Sequence, residues 1–321
     1  MVIENDTPSL FPIHFFTIVL NGEPFIRHHI EVLKQLPFRW HWHIVEGVAE
    51  LKHDTAWSLA NGGRIDAGFH RDGRSKDGTT EYLDEIQREF PDRVTIYRKP
   101  KGNFWDGKLE MVNAPLINIQ ESSLLWQVDV DEYWTPGQIE TCRRLFLETP
   151  DHKAAFFWCH FYVGSELVVT SRDTYGNNSK FEWLRAWRYE PGDRWISHEP
   201  PMLAGRWLQF KALLRRLRGK RAKVRLAKLK AFSHATTEAH GLVFKHLAYV
   251  IPEQLAFKEQ YYGYAGALEM WQRLQAQKEF PVKLKDYFEW VKDESLVDVV
   301  AVQSLDSWRD PRPSGTLAST S

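Results

Sequence analysis

The chain has 321 residues, 43% of them hydrophobic and 26% charged, with 42 Lys and Arg against 42 Asp and Glu. That is globular composition, long enough for one large α/β domain with a sizeable core, and its zero net charge gives no overall field for nucleic acid or an acidic partner. Two distant cysteines, Cys142 and Cys159, rule against a disulfide framework or a Cys-rich zinc site and make a reducing cytoplasm the simplest setting.

The start, Met1 to Pro12, has acids and prolines where a signal peptide needs basic and then apolar residues. The run Ile13 to Leu20 is too short to span a bilayer, but its β-branched and aromatic residues, stopped by Asn21-Gly22, predict a buried strand. Pro24, then Phe25, Ile26, Ile30, Leu33 and Leu36 at helical spacing, predicts an amphipathic helix. Trp40 to Glu46 reads as a second strand, and the polar stretch from Gly47 to Lys76 as an insertion or functional loop. A helix from Asp77-Gly78 to Phe90, a strand from Val94 to Arg98, a helix from Phe104 to Ile119 and a strand from Leu124 to Val128 follow. This repeated β-α-β with apolar strands argues for a parallel sheet with helices on both faces. Thr135-Pro136-Gly137-Gln138 resembles a capping box opening a helix to Glu148. Ala154–Val163, Leu167–Ser171 and Phe181–Tyr189 predict strands without long helices between them, so an antiparallel half is expected next. A long helix is expected from Pro252 to Gln277, and a disordered end after Trp308. The organisation read from this is a catalytic domain over 8–249, a C-terminal helical segment over 250–305 and a disordered tail over 306–321.

Leu124-Leu125-Trp126-Gln127-Val128-Asp129-Val130-Asp131-Glu132 is the most informative segment. An apolar strand ends in aspartates at i and i+2, so both carboxylates leave on one face while strand geometry lasts. Ligands of α/β sheets bind beyond the carboxyl ends of strands, and two convergent carboxylates there suit Mn²⁺ or Mg²⁺. The plainer alternative is an acidic turn after a strand. A phosphohydrolase of the haloacid-dehalogenase type expects Thr or Ser two residues after the second Asp, where this chain has Tyr133.

The order Thr17-Ile18-Val19-Leu20-Asn21-Gly22-Glu23, Ile44-Val45-Glu46-Gly47, Asp77-Gly78-Thr79-Thr80 and Asp129-Val130-Asp131 resembles GT-A fold glycosyltransferases, near the large family 2 group. The resemblance covers roughly Ile13 to Val163. It implies a GT-A-like, Rossmann-like mixed sheet, with Asn21, Glu23, Glu46, Asp77 and Asp129 at the nucleotide-sugar and Asp129 and Asp131 at the metal. Lys108, on the helix before the DxD strand, is expected by the same resemblance to reach the nucleotide. Glu46 stands where Asp is usual, and a long segment separates it from Asp77, which normally follows almost at once.

The resemblance also implies a third metal ligand, a His well after the DxD. His246, in Lys245-His246-Leu247-Ala248-Tyr249 ahead of Pro252 and Lys258, is the leading candidate over His198, His234 and His240. An inverting transferase needs a carboxylate to take the acceptor hydroxyl's proton, and Glu199 in Trp195-Ile196-Ser197-His198-Glu199-Pro200-Pro201 is placed there, with Glu182 and Asp193 as rivals. The two prolines exclude the helical HExxH of a zinc protease. The 14 tryptophans include some fit to cover sugar C–H faces, but most are expected in the core.

Arg206 to Lys230 holds 11 bases and no acid, so the rest of the chain carries 31 of the 42 bases and all 42 acids. Phe210, Leu213, Leu214 and Leu217 recur there at helical spacing, which predicts a basic lid or surface helix. The expected reaction is hexosyl transfer from a nucleoside-diphosphate sugar to a hydroxyl on a glycan, a lipid-linked or another acceptor, with inversion. A non-catalytic nucleotide-sugar or glycan binder and a metal-dependent phosphohydrolase are the alternatives. The setting is cytoplasmic, with peripheral contact to an anionic membrane as a further option and no nucleic acid.

Overall fold

A computed structural model describes residues 11–51, 62–180, 182–199, 201–217 and 229–312. The parallel half begins with β1 (Ile13–Val19), α1 (Ile26–Leu33), β2 (Trp40–Glu46), α2 (Thr79–Glu89), β3 (Val94–Arg98), α3 (Lys108–Asn113) and β4 (Ser123–Gln127). A short β5 (Glu132–Tyr133) and α4 (Pro136–Glu148) follow, then β6 (Ala154–Phe156), β7 (Trp158–Tyr162), β8 (Leu167–Val169), β9 (Leu184–Tyr189) and the hairpin β10 (Arg194–Ser197) and β11 (Met202–Ala204). The remainder is α5 (Arg206–Leu217), β12 (Ala231–Phe232), α6 (His234–Ala239), β13 (Val243–His246), α7 (Pro252–Tyr261), α8 (Ala267–Gln275), β14 (Val282–Lys283) and β15 (Leu296–Val299).

The central sheet has the order β12-β6-β9-β4-β1-β2-β3. Strands β4, β1, β2 and β3 are parallel, β9 is antiparallel to both β4 and β6, and β12 is parallel to β6. This is the mixed α/β sheet that the sequence predicts. A second sheet has the order β14-β15-β8-β7-β13-β5. The chain therefore crosses from one sheet to the other between β4 and β5, at the acidic motif. The expected strand Ala154–Val163 is likewise cut at Phe157, whose two sides serve different sheets.

Several boundaries moved for local reasons. The helix expected over Phe104–Ile119 is only α3 and a 3-10 turn at Pro115–Ile117, because proline lacks the N–H that would continue it. The helix expected from Pro252 to Gln277 breaks into α7 and α8 at Gly263 and Gly266, whose φ of 77° and 72° only glycine adopts cheaply. The segment over 250–305 is not helical throughout: β15 pairs with β8 and β14 with β15, so its end completes the second sheet. Residues 306–312 of the expected tail are placed. Trp308 packs on Phe25 at 5.3 Å between centroids and donates its N–H to Ser165, while Arg312 meets Glu253 at 3.0 Å. The rest of that tail, and residues 218–228 of the basic segment, lie outside the described residues. Among the described residues no helix is long and apolar enough to cross a membrane.

Candidate active site

The acidic motif is a turn rather than a strand end. β4 stops at Gln127, and the Glu132 N–H donates to the Asp129 carbonyl at 3.0 Å. Two contacts hold the turn from below: Thr17 Oγ1 donates to the Val128 carbonyl at 2.7 Å, and the His29 ring bonds the Val130 carbonyl at 2.9 Å. Gly22 lets the turn after β1 come close, since a Cβ there would lie 2.8 Å from Val19 Cγ2 and 3.2 Å from Val130 Cγ1.

The turn sends its acids in different directions, which corrects the expectation of two carboxylates on one strand face. Asp129 accepts from Gln127 Nε2 at 3.0 Å and from Arg185 Nη2 at 2.8 Å. Arg185, on β9, also grips the buried Glu132 at 2.7 Å through Nε. Burial pushes the Glu132 carboxyl up, to about 7, against the pull of Arg185. Burial would lower the Arg185 guanidinium, but Glu132 and Asp129 hold it above its ordinary value. Asp131 points the other way, 3.5 Å from His246 Nε2, with Gln254 Nε2 at 3.4 Å from its second oxygen. Burial alone would raise the Asp131 carboxyl; His246 and then Lys258 outweigh it and lower it.

Backbone pairing explains why His246 arrives there. β13 runs antiparallel to β5 with His246 opposite Glu132, and the Leu247 N–H donates to the Asp131 carbonyl at 2.8 Å. His234 is placed elsewhere, tilted against Trp158 at 4.3 Å between ring centroids and bonded to the Glu182 carbonyl. His240 caps the end of α6. Among the described residues no group of three or more His, Cys, Asp or Glu is arranged as a ready-made metal cage. Asp131 and His246 nevertheless fit a shared divalent ion: Asp131 Oδ1 and His246 Nε2 face each other at 3.5 Å, too far apart for a strong hydrogen bond, and a carboxylate oxygen and an imidazole nitrogen are both ligands such an ion accepts. Mg²⁺ and its relatives commonly use one or two protein ligands and take the rest from phosphate and water.

One lysine acts on this pair, and a second acts on that lysine. Lys258, on α7, lies 5.1 Å from the Tyr249 ring; its burial lowers its proton affinity, and Asp131 opposes that. Lys108, at the start of α3, lies 5.0 Å from the Tyr262 ring and 3.6 Å from Glu199 Oε1. Glu199 is 42% exposed by side chain and also 3.6 Å from His198 Nδ1. Glu182 is more enclosed: its Oε2 accepts from the Asn178 N–H at 2.6 Å, and burial raises its carboxyl although His246 and Arg185 act on it. Asp193 belongs to the β9–β10 turn, where it accepts from the Glu190 N–H at 3.2 Å.

The turn after β1 is stapled to residues 75–80. Asn21, at φ 57°, donates its N–H to Ser75 Oγ at 3.0 Å and accepts the Lys76 N–H at 3.0 Å. Gly22 N–H meets Thr79 Oγ1 at 2.8 Å, and Glu23 N–H meets Asp77 Oδ2 at 3.0 Å. The Glu23 carboxylate itself holds Arg27 at 2.8 Å. Glu46 is buried, and its carboxylate is occupied by the protein: Ser75 N–H at 3.1 Å, the Thr80 hydroxyl, and Arg98 Nε at 2.6 Å. The long segment before Asp77 leans on α7, with Phe69 edge-on to Phe257 at 5.4 Å and Arg64 bonded to Gln260 at 2.6 Å.

Arg185 and Gln254 were not singled out from sequence. A signal for the first was present, since three acids in the four residues Asp129–Glu132 at a buried strand end require a cation nearby. The partner strand's only polar residues in Leu184–Tyr189 are its two arginines.

No protein-family model matches the chain, and no curated protein does. Among solved structures, the mannosyltransferase PcManGT from Pyrobaculum calidifontis, described in complex with GDP-Man and Mn²⁺, is similar at 13% identity and a TM-score of 0.40 over 85% of this chain and 67% of that one. The 1–349 portion of S. aureus TarS is similar at 10% identity and a TM-score of 0.36 over 56% of this chain, which spans 47% of that one. A 4-diphosphocytidyl-2C-methyl-D-erythritol synthase is similar at 11% identity and a TM-score of 0.31 over 76% of this chain and 92% of that one.

Proposed function

We propose that the protein transfers a hexosyl group from a nucleoside-diphosphate sugar to an acceptor hydroxyl, with inversion. The observation that carries this reading is the Asp131–His246 pair, 3.5 Å apart where the chain leaves the central sheet, with Lys258 acting on Asp131 and Lys108 close enough to act on Lys258. A carboxylate and an imidazole beside one lysine, with a second lysine near the first, make a site for a diphosphate and its counter-ion. A bound Mn²⁺ or Mg²⁺ would neutralise charge on the departing diphosphate. Asp131 and His246 would hold that ion.

Asp129, oriented by Arg185 and Gln127, is the carboxylate directed to the ribose. Lys258 and Lys108 face the phosphate oxygens. The turn Asn21–Glu23 and the segment around Asp77 form the nucleotide edge, and Glu46 contributes by fixing that edge from beneath. Glu199 takes the acceptor proton: it is the accessible carboxylate, and Lys108 and His198 beside it hold it in place. Glu182 is the second reading for the base, because it is acted on by His246 and Arg185.

The test is product analysis with a panel of nucleotide sugars, with and without a hydroxyl acceptor. Nucleoside diphosphate release that rises with acceptor supports transfer. Release of nucleoside monophosphate and sugar phosphate, indifferent to acceptor, indicates a phosphohydrolase, and tight binding without release indicates a binding protein.

A further inference from the structure

Helix α5 is amphipathic in the opposite sense to a helix that packs on a core. The side turned to the protein is small and polar: Ala212 is buried, and Gln209 Nε2 donates to the carbonyls of Gly192 at 2.8 Å and Ala204 at 2.7 Å. The other side carries Trp207, Phe210, Leu213, Leu214 and Leu217, which fall in one stripe about 120° wide on a helix turning 100° per residue. Those side chains face solvent; Trp207 is 66% exposed and Leu217 75%. Trp207 and Phe210 are nearly parallel at 6.2 Å, and Lys211 Nζ sits 4.7 Å from the Trp207 ring. Arg206, Lys211, Arg215 and Arg216 are the charges of the helix, and the sequence offers no acid from Arg206 to Lys230.

We infer that α5 docks the protein on an anionic lipid bilayer, the stripe entering the boundary between headgroups and acyl chains and the cations lying on lipid phosphates. A solvated apolar stripe on a helix whose only charges are cations is the pattern that such a surface rewards, through apolar burial and charge together. A nucleic-acid duplex would use the cations but has no place for five apolar side chains. A second copy of the chain would bring two acid-free basic helices face to face, which repel. The helix grips the β10–β11 hairpin, and the turn of that hairpin carries His198 and Glu199, so docking sets that end of the molecule toward the lipid. Binding to lipid is independent of the transferase reading and is measured without activity.

Flotation of the full chain with phosphatidylcholine vesicles, with and without phosphatidylglycerol, tests this at low and high salt. Binding is expected only with phosphatidylglycerol and is expected to weaken with salt. Phe210→Ser with Leu214→Ser should lower partitioning at least about tenfold, and Lys211→Glu about fivefold or more. Both native cysteines are buried, so an environment-sensitive dye on Leu213→Cys reports insertion alone; its emission should shift to the blue on anionic vesicles. Equal binding to both vesicles, no binding, or binding indifferent to the apolar substitutions overturns the inference. So does capture of duplex DNA in place of vesicles. A lowered melting temperature for Phe210→Ser with Leu214→Ser would also overturn it, because the stripe would then be packed inside the protein.

Discussion

Glu46 separates a positioning carboxylate from a ligand-facing one, and the two roles differ in what its removal does to the free protein. In Glu46→Ala, the buried Ser75 N–H loses its acceptor, while the Thr80 hydroxyl keeps the Ser75 carbonyl; one buried unpaired donor costs about 1–3 kcal/mol. Arg98 loses its 2.6 Å partner but keeps Asp84 and the Thr80 carbonyl, so its share falls below the ~3–5 kcal/mol of a fully orphaned buried ion, at about 2 kcal/mol. The expected total is about 4 kcal/mol. Glu46→Gln keeps the shape and one acceptor oxygen but turns an amide N–H₂ on Arg98, for about 2 kcal/mol. Urea unfolding with linear extrapolation reads both. Donor KM should rise more than kcat falls, because the loosened element is the loop stapled to Asn21. If both variants stay within about 0.5 kcal/mol of wild type yet lose nucleotide affinity, the carboxylate faces the ligand and the structural reasoning is wrong.

Glu199→Gln is expected to keep donor binding and lose transfer by about 10²- to 10⁴-fold, with Glu182→Gln affected less; steady-state kinetics of the two variants decides, and the reverse order moves the base to Glu182. Acid sensitivity should come from the stacked imidazoles of His14, His41 and His43, where burial and then His41 push His14 down to about 4. A depressed histidine gives stability that is full above 6.5 and is lost as pH falls toward 4, since the unfolded chain takes the proton that the folded ring refuses. For His14 that is up to about 3 kcal/mol, and unfolding free energies of His14→Gln between pH 4 and 7 should be flatter than wild type by that amount.

The parallel half was legible because each strand is short, apolar and punctuated: Trp40–Glu46 and Val94–Arg98 appear with the bounds read from sequence. Thr135 and Gln138 likewise form the capping box that their spacing announces. The second sheet was largely illegible. β5, β12 and β14 have two residues each and exist through pairing with distant strands, which no local period encodes. The same limit applied to the site. The proximity of Asp131 and His246 rests on the β5–β13 register, and the family resemblance rather than residue spacing pointed to His246. Glu46 was misleading for a different reason. Sequence marks an acid at a strand end but not whether Ser75, Thr80 and Arg98 fold back to occupy it.

In the proposed site, Asp131 and His246 form the half that depends on the ion. Thermal unfolding of wild type, Asp131→Asn and His246→Ala, each with a nucleotide-sugar panel and with or without Mn²⁺, tests it most directly. One donor class should stabilise wild type only when Mn²⁺ is present, a shift of about 2.7 kcal/mol at a hundredfold excess over Kd, and both variants should fold but lose it. Undiminished Mn²⁺-dependent stabilisation in either variant would remove that residue from the ion site.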